Sequence, residues 1–437
     1  MTNVEYGGYE NIKIIEIDRC SGCGQKFADE ILSYCKPCYS SHFRNNFVHW
    51  KSGSLRIDKL IQDSQLNANH QYELIEWIEY SNLEIIKFVA YGGFGNVYEA
   101  IWKDGPIDSW NINKSGWNRN SNKKVAIKKL RNVTSVSSEY LNEVKNNLML
   151  NYTARCNGIY GMTRDTQNGE YVIVTEFQND GNMRELIKKN YSILNWKLII
   201  KMLYNICDGL SAIHDKNYHH RDFHSGNILN SIHNNTIKSV ISDFGLCSPA
   251  NQSSADKSLY GVLPFVAPEV LRGGEFTKSA DIYGDYDLHL VLAICEGERP
   301  PIPEYTPEPY ATLMEHCWDP IPTNRPTTDE LYGQIVKWET VICKFEHSDS
   351  QVETKIKIKE AFSHEREEKW KLQLAELAAN SCPLKKSQNM LASKKLDCLK
   401  QLTAAKDVEM KTNDYIYCTR QYDFSLSLEG SDNNERV

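Results

Sequence analysis

Four cysteines near the start fall in two matched pairs, Cys20-x2-Cys23 and Cys35-x2-Cys38, separated by eleven residues. Each pair can place two thiolates on one tight turn, so that four sulfurs converge tetrahedrally on Zn²⁺. A site this small would draw its folding energy from the metal. Reduced thiols without metal are the plain alternative. A redox pair fits less well, because two matched pairs occur, with Gly22 and Gly24 in the first turn. A second stretch, Ala90-Tyr-Gly-Gly-Phe-Gly-Asn-Val97, carries Gly92, Gly93 and Gly95. Missing side chains there let backbone amides approach a phosphate, or simply make a flexible hairpin turn.

Position in the chain turns the glycines into part of a series. Val125-Ala-Ile-Lys128 follows, then Glu143 in Tyr140-Leu-Asn-Glu-Val-Lys145, Tyr171-Val-Ile-Val-Thr-Glu-Phe177, His220-Arg-Asp-Phe-His-Ser-Gly-Asn-Ile-Leu229, Asp243-Phe-Gly245 and Ala267-Pro-Glu269. This ordered set resembles the motifs of eukaryotic protein kinases. Phosphoryl transfer needs its phosphates cradled, their charge neutralised by metal and lysine, and the attacking hydroxyl aligned. The resemblance implies that Lys128 bridges the α- and β-phosphates of ATP and pairs with Glu143. It implies that Asp222 orients the substrate hydroxyl and takes its proton, beside Arg221, and that Asn227 and Asp243 hold Mg²⁺, to which oxygen ligands of this kind are suited. For the nucleotide it implies Val89, Gly92, Gly93, Gly95, Val97 and Ala126 around the phosphates and base. Thr175 would guard the pocket, Glu176 and Phe177 would offer hinge backbone to adenine, and Leu229 completes the ATP-binding set. Arg325 in Asn324-Arg-Pro326 is the implied buried partner of Glu269. Ser253, Ser254, Ser258 and Tyr260 lie in the implied regulatory segment, where a phosphate could engage Arg221.

Some positions depart from the pattern. Ala90 stands at the first glycine position, His224 where serine/threonine kinases commonly carry lysine, and Val262 where they commonly carry threonine. The loop Asp222-Phe-His-Ser-Gly-Asn227 looks most like the tyrosine-kinase-like branch, whose members generally phosphorylate serine and threonine; hydroxyl specificity stays open. After Thr277-Lys-Ser-Ala-Asp-Ile-Tyr283 the family continues into a long apolar helix anchored at the aspartate that is here Asp281. This chain instead reads Gly284-Asp-Tyr-Asp-Leu-His289 and passes into Leu290-Val-Leu-Ala-Ile-Cys295. That predicts a shortened second lobe, with at most a truncated helix over Asp281 to Leu290.

The elements that must position these residues follow from patterning. Leu83 to Ala100 and Val125 to Leu130 carry short apolar runs around glycines, which suits strands. The Trp/Asn/Ser-rich connection from Asp104 to Lys124 reads as a long hairpin loop. Leu198, Met202, Leu203, Ile206, Leu210 and Ile213 recur at near-helical spacing. An α+β, two-lobed kinase fold is therefore expected, strand-rich first and helical later. Four segments are expected: a zinc-ribbon-like stretch over 1–40, a polar connector over 41–81, the kinase body over 82–344 and a charged, partly helical or disordered tail over 345–437. In that tail Trp370, Leu374 and Leu377 recur at helical spacing, as a solvated amphipathic helix or a partner-binding one.

At 437 residues the chain accommodates one large two-lobed domain with flanks. A net charge of −7 speaks against nucleic acid as partner, although zinc ribbons as a class bind protein or nucleic acid. Its thirteen cysteines show no disulfide framework, and the start, Met1 to Glu10, lacks a secretory pattern. A cytoplasmic or nuclear protein is expected, not membrane-bound, acting on protein substrates. Two other functions are carried alongside: a pseudokinase-like scaffold that keeps the lobes but transfers poorly, and a nucleic-acid-binding adaptor built on the cysteine module.

Overall fold

Pro37, with its fixed φ, sits where a first helical turn tolerates it. Helix α1 (Lys36–Asn46) starts there and buries Tyr39 and Phe43, one turn apart. Helix α2 (Leu55–Asn67) follows and buries Ile57 and Ile61 at the same spacing. The computed structural model describes residues 19–20, 22–27, 34–91, 95–130, 136–151, 155–250, 259–261, 266–271, 274–283, 302–343, 352–379 and 394–396. Two compact units divide the chain. The first comprises Met1–Gly181, Asp208–Ile213 and Leu229–Cys247, and the second Asn182–Cys207, His214–Ile228 and Ser248–Val437.

In the first unit the strands are β1 (Glu76–Trp77), β2 (Leu83–Tyr91), β3 (Gly95–Trp102), the hairpin β4 (Ile107–Asn111) and β5 (Gly116–Arg119), and β6 (Lys123–Leu130). Helix α3 (Ser138–Leu150) and strands β7 (Ile159–Arg164) and β8 (Tyr171–Glu176) complete it. Six of the strands form one sheet in the order β1-β7-β8-β6-β3-β2, antiparallel except between β1 and β7. Alternation along β6 sends Val125 and Ile127 into a core with Val172 and Val174, and so puts Ala126 and Lys128 on the opposite face. Gly95 is required where β3 meets β6: a Cβ there would fall on the carbonyl of Lys129.

Two further cores lie in this unit. One joins Ile57 and Ile61 of α2 to Ile75, Leu130, Tyr140, Leu141 and Val144. The other joins Cys20, Tyr34, Cys35, Tyr39, Phe43, Leu74 and Ile107, with Trp110 and Trp117 packed against it. The stretch 41–81, read from sequence as a connector, thus contributes two helices and a strand to the strand-rich lobe. The expected hairpin between β3 and β6 is present, and its tryptophans are packed rather than looped into solvent.

In the second unit Asn182 caps helix α4 (Met183–Asn190) and Asn195 caps helix α5 (Trp196–Asp215), each side chain accepting a backbone N–H of the first turn. Strand β9 (Tyr218–His219) comes next; β10 (Ile228–His233) and β11 (Thr236–Ile241) pair as a small sheet, mostly within the first unit. Strand β12 (Ser248–Pro249) pairs antiparallel with β9. Helices α6 (Pro268–Leu271), α7 (Lys278–Tyr283), α8 (Glu308–Cys317), α9 (Thr328–Cys343), α10 (Val352–Ala361) and α11 (His364–Ala379) follow. The tail helices do not stand in solvent: Trp370 is buried and stacks on Trp196, ring centroids 5.6 Å apart, and the Trp196 indole N–H donates to the Ser363 carbonyl at 3.2 Å. Residues 284–290, on which the predicted truncated helix falls, lie outside the described residues beyond Tyr283.

Candidate active site

Lys128 lies between two carboxylates. Its Nζ is 2.6 Å from Glu143 Oε1 and 2.7 Å from Asp243 Oδ1. Strand β6 presents the lysine, and α3 presents the glutamate. Ser137 caps α3 by accepting the Tyr140 N–H, and Tyr140, Leu141 and Val144 bury the helix so that Glu143 points inward. Burial opposes the ammonium, but the attraction of Asp243 and Glu143 outweighs it and holds the Lys128 pKa above its ordinary value. For Glu143, burial pushes the carboxyl upward further than Lys128 pulls it down, and Asp243 adds to the push. One ammonium thus serves two carboxylates, a surplus of negative charge suited to a divalent cation.

Asp243 itself has a left-handed backbone, φ 63°. Asn146, one turn beyond Glu143 on α3, donates its Nδ2 to the carbonyls of Phe244 at 3.0 Å and Cys247 at 2.7 Å. This pins the turn that carries Asp243 to the helix that carries Glu143. Sequence reasoning missed Asn146; a polar residue three positions after the glutamate, on the same helix face, was the available signal.

The remaining nucleotide positions in the first unit are distributed as follows. Val97 is on β3, Ala126 lies in register opposite Thr175 of β8, and Leu229 is on β10. Val89 is exposed on the edge strand β2. Gly92 and Gly93 lie outside the described residues. At Glu176 the N–H donates to the Gly158 carbonyl at 2.7 Å and the C=O accepts from Asn157 Nδ2 at 3.2 Å. The N–H is committed to the neighbouring strand's approach and is not an adenine contact; the carbonyl has a second lone pair. Phe177 lies under the Lys124 ammonium, 5.4 Å from the ring centroid.

The second unit gathers Asp222, Asn227, Arg221 and His224. Asn227 Nδ2 donates to the Asp222 carbonyl at 2.9 Å and to Asp222 Oδ2 at 3.2 Å, which turns the amide so that its oxygen end is the one able to meet a cation. His224 accepts the Gly226 N–H on Nδ1 and brings Nε2 to 3.6 Å from Asp222 Oδ1. Beneath this loop Asp281 of α7 accepts three bonds of 2.9 Å, from His214 Nε2 and the backbone N–H groups of His220 and Arg221. Burial raises the Asp281 pKa, but His214, His220 and the Arg221 amide outweigh it and leave the carboxyl below the usual range. Arg221 adopts φ 67°, a left-handed conformation costly for any residue with a Cβ and sustained by that clamp. Nearby, Arg325 forms a bidentate pair with Glu269, both bonds 2.8 Å, as expected from sequence.

The four cysteine sulfurs also converge, all within 4.8 Å of one another, with Cys20 to Cys38 at 3.7 Å and Cys23 to Cys35 at 3.5 Å. A tetrahedral Zn²⁺ with bonds of about 2.3 Å separates its sulfurs by about 3.8 Å, so the donors fit the ion. Against burial, the amides of Cys23 and Gly22 and the Cys35 and Cys38 thiols bring the Cys20 thiol down to about 7, whereas burial pushes Cys35 up to about 11. The second pair is not on a tight turn as expected: Cys35 precedes α1 and Cys38 is in its first turn, because Pro37 favours the helix.

Comparison with known proteins agrees with this geometry. Residues 83–285 match the family model of protein tyrosine and serine/threonine kinases. Among similar proteins are the probable serine/threonine-protein kinase drkD of Dictyostelium discoideum, 25% identical over 301 residues, and the dual specificity protein kinase splA of the same organism, 25% identical over 312 residues. These alignments cover 61% and 63% of this chain but 22% and 12% of the relatives, so the chain spans less than a quarter of their length. The segment 83–285 is a eukaryotic protein kinase domain. The match ends at residue 285.

Proposed function

We propose that the chain is an ATP- and Mg²⁺-dependent protein kinase of the tyrosine-kinase-like branch, transferring the γ-phosphate to serine or threonine hydroxyls of proteins. The observation that carries this reading is the Glu143–Lys128–Asp243 arrangement, in which a fixed cation stands ready for phosphates beside a carboxylate suited to metal. Lys128 would hold the α- and β-phosphates. Asn227 and Asp243 would hold Mg²⁺, which neutralises charge developing on the transferred group. Asp222 orients the attacking hydroxyl and accepts its proton as the new P–O bond forms and the bond to ADP breaks. His224 is the departure that bears on hydroxyl choice, since its imidazole stands beside Asp222 where lysine is common. Purified protein incubated with labelled ATP, Mg²⁺ and generic serine/threonine and tyrosine substrates tests the reading. Transfer that disappears in Asp222→Asn supports it; wild-type turnover in that variant removes Asp222 from the mechanism.

The end of the family match beside Gly284 favours one competing reading, a pseudokinase-like scaffold. That protein would bind ATP without transferring phosphate in the same assay. For the cysteine module we propose one Zn²⁺ per chain held by Cys20, Cys23, Cys35 and Cys38, and protein rather than nucleic acid as its class of partner. Elemental analysis returning no stoichiometric zinc would refute the first part. A cytoplasmic or nuclear site of action is part of the same proposal. Among the described residues no helix is long and apolar enough to cross a membrane.

A further inference from the structure

Helix α3 has two faces with different obligations. Glu143 and Asn146 serve the site, while Tyr140, Leu141 and Val144 pack into the core that holds Ile57 and Ile61 of α2. Arg56, also on α2, donates Nη1 to the Val136 carbonyl at 2.9 Å, one residue before the Ser137 cap of α3. Helix α2 is held from its own flanks, where Gln65 Nε2 donates to the Ile75 carbonyl at 2.9 Å and the Ser52 N–H to Asp58 Oδ1 at 2.8 Å. Its C-terminal end is held by α1: Ser40 Oγ donates to the Leu66 carbonyl at 3.0 Å and Lys36 Nζ to the Asn67 carbonyl at 2.8 Å. What holds α1 is the cysteine cluster at its N-terminus on one side and the β4–β5 hairpin on the other. His42 stacks on Trp110 with centroids 3.6 Å apart, Phe43 on Trp117 at 4.6 Å, and the Trp110 N–H donates to Tyr39 Oη at 3.3 Å.

Isolated helices of this length are marginal in water, and α1 begins without a side-chain cap. Its order therefore depends on what grips its ends and sides. We propose that α2 is a positioning element for the Lys128–Glu143 pair, with Arg56, Ile57 and Ile61 as its positioning residues, and that Zn²⁺ on the four thiolates sets how firmly α2 is held. The path runs from the metal through α1 and α2 to α3 and Glu143. It rests on the kinase and zinc readings above, and it adds to them a regulatory input from metal supply to ATP binding. Loss of the metal frees the start of α1, loosens α2 and lets α3 move away from β6.

Hydrogen exchange across Ser138–Leu150 in the full chain, together with ATP affinity and the KM-against-kcat split, tests the proposal. Arg56→Ala and Ile61→Ala are expected to speed exchange in that helix and to raise the KM for ATP about 3- to 10-fold, with exchange in α11 unchanged and partial recovery in Arg56→Lys. Stripping zinc with a chelator is expected to have the same effect on the same helix, reversed by adding zinc back. Because Arg56 is exposed, its variant folds even if Ile61→Ala does not. Exchange and KM at wild-type values in Arg56→Ala would overturn the role of α2. Chelation that leaves Ser138–Leu150 unchanged would overturn the metal input. Protein that purifies without zinc sinks the zinc reading and with it the metal input, while the Arg56 variants still decide the role of α2. A wild type that transfers no phosphate sinks the kinase reading, and exchange with ATP affinity still decides the rest.

Discussion

Lys128 in the first unit and Asp281 in the second are both buried charges, yet they organise their surroundings in different ways. Lys128 meets side chains: two carboxylates, each from a different element. Asp281 meets two backbone amides and one histidine ring, so it fixes the path of the chain itself. Side-chain ion pairs can be broken and remade by moving a helix. A backbone clamp is lost only with the local fold. Moving α3 would therefore break the Lys128–Glu143 pair, whereas the backbone path at His220 and Arg221 is fixed as long as Asp281 stays in place.

The sharpest way to break this contrast is to delete the chemistry of each half. Asp222→Asn should lower transfer by about 10²- to 10⁴-fold with ATP binding retained. Lys128→Met should lose transfer and also weaken ATP binding, because the phosphates lose their fixed cation while Glu143 and Asp243 are left facing one another. Single-turnover transfer with parallel ATP titration separates the two; equal loss of ATP affinity in both variants would erase the distinction. Next in size, Asp281→Ala should destabilise the second unit by about 2–4 kcal/mol, since it strands two buried N–H groups and a histidine. Thermal melting checks this, and a loss under 1 kcal/mol would mean the loop does not depend on the clamp.

The smallest expected effect is the order of events on acidification. Glu143 has a raised folded pKa, so it takes a proton first and the Lys128 pair is weakened early. Asp281 has a depressed folded pKa, so its stabilisation is fully present above the ordinary aspartate value of about 3.9 and is lost only as pH falls through the lower folded value. ATP affinity should therefore fall at a higher pH than that at which the second unit unfolds. Coincident loss of affinity and near-ultraviolet dichroism would contradict the contrast.

Much of the site was legible because phosphoryl transfer demands particular residue types in a fixed order. Lys128, Glu143, Asp222, Asn227 and Asp243 stand in the expected groups, three in one unit and two in the other. Arg325 and Glu269 were readable through the family resemblance alone, which implied their pairing. The supports were harder to read. Helix α2 lies in a polar stretch: eight of its thirteen residues are polar, and only Ile57 and Ile61 of its five apolar ones are fully buried, so its pattern is a faint signal. The commitment of the Glu176 amide to Gly158 depends on how two distant segments approach, which no local pattern encodes. The tail helix was visible as amphipathic, but its occupant was not: Trp370 found Trp196 of its own chain.

The hairpin between β3 and β6 has a consequence for how such a domain could be exchanged between proteins. Its tryptophans complete a core whose other half comes from residues 34–74, and Arg119 of the hairpin is paired with the buried Glu76 at 2.5 Å. The segment that matches the kinase family model begins at residue 83, so it carries the hairpin but not the surface the hairpin covers. Grafted elsewhere from that point, it would arrive with Trp110 and Trp117 bare and Leu130, Tyr140 and Val144 uncovered, an adhesive patch rather than a lobe. The matched segment and the segment that closes these cores are different, so a fragment beginning at residue 83 should be poorly soluble.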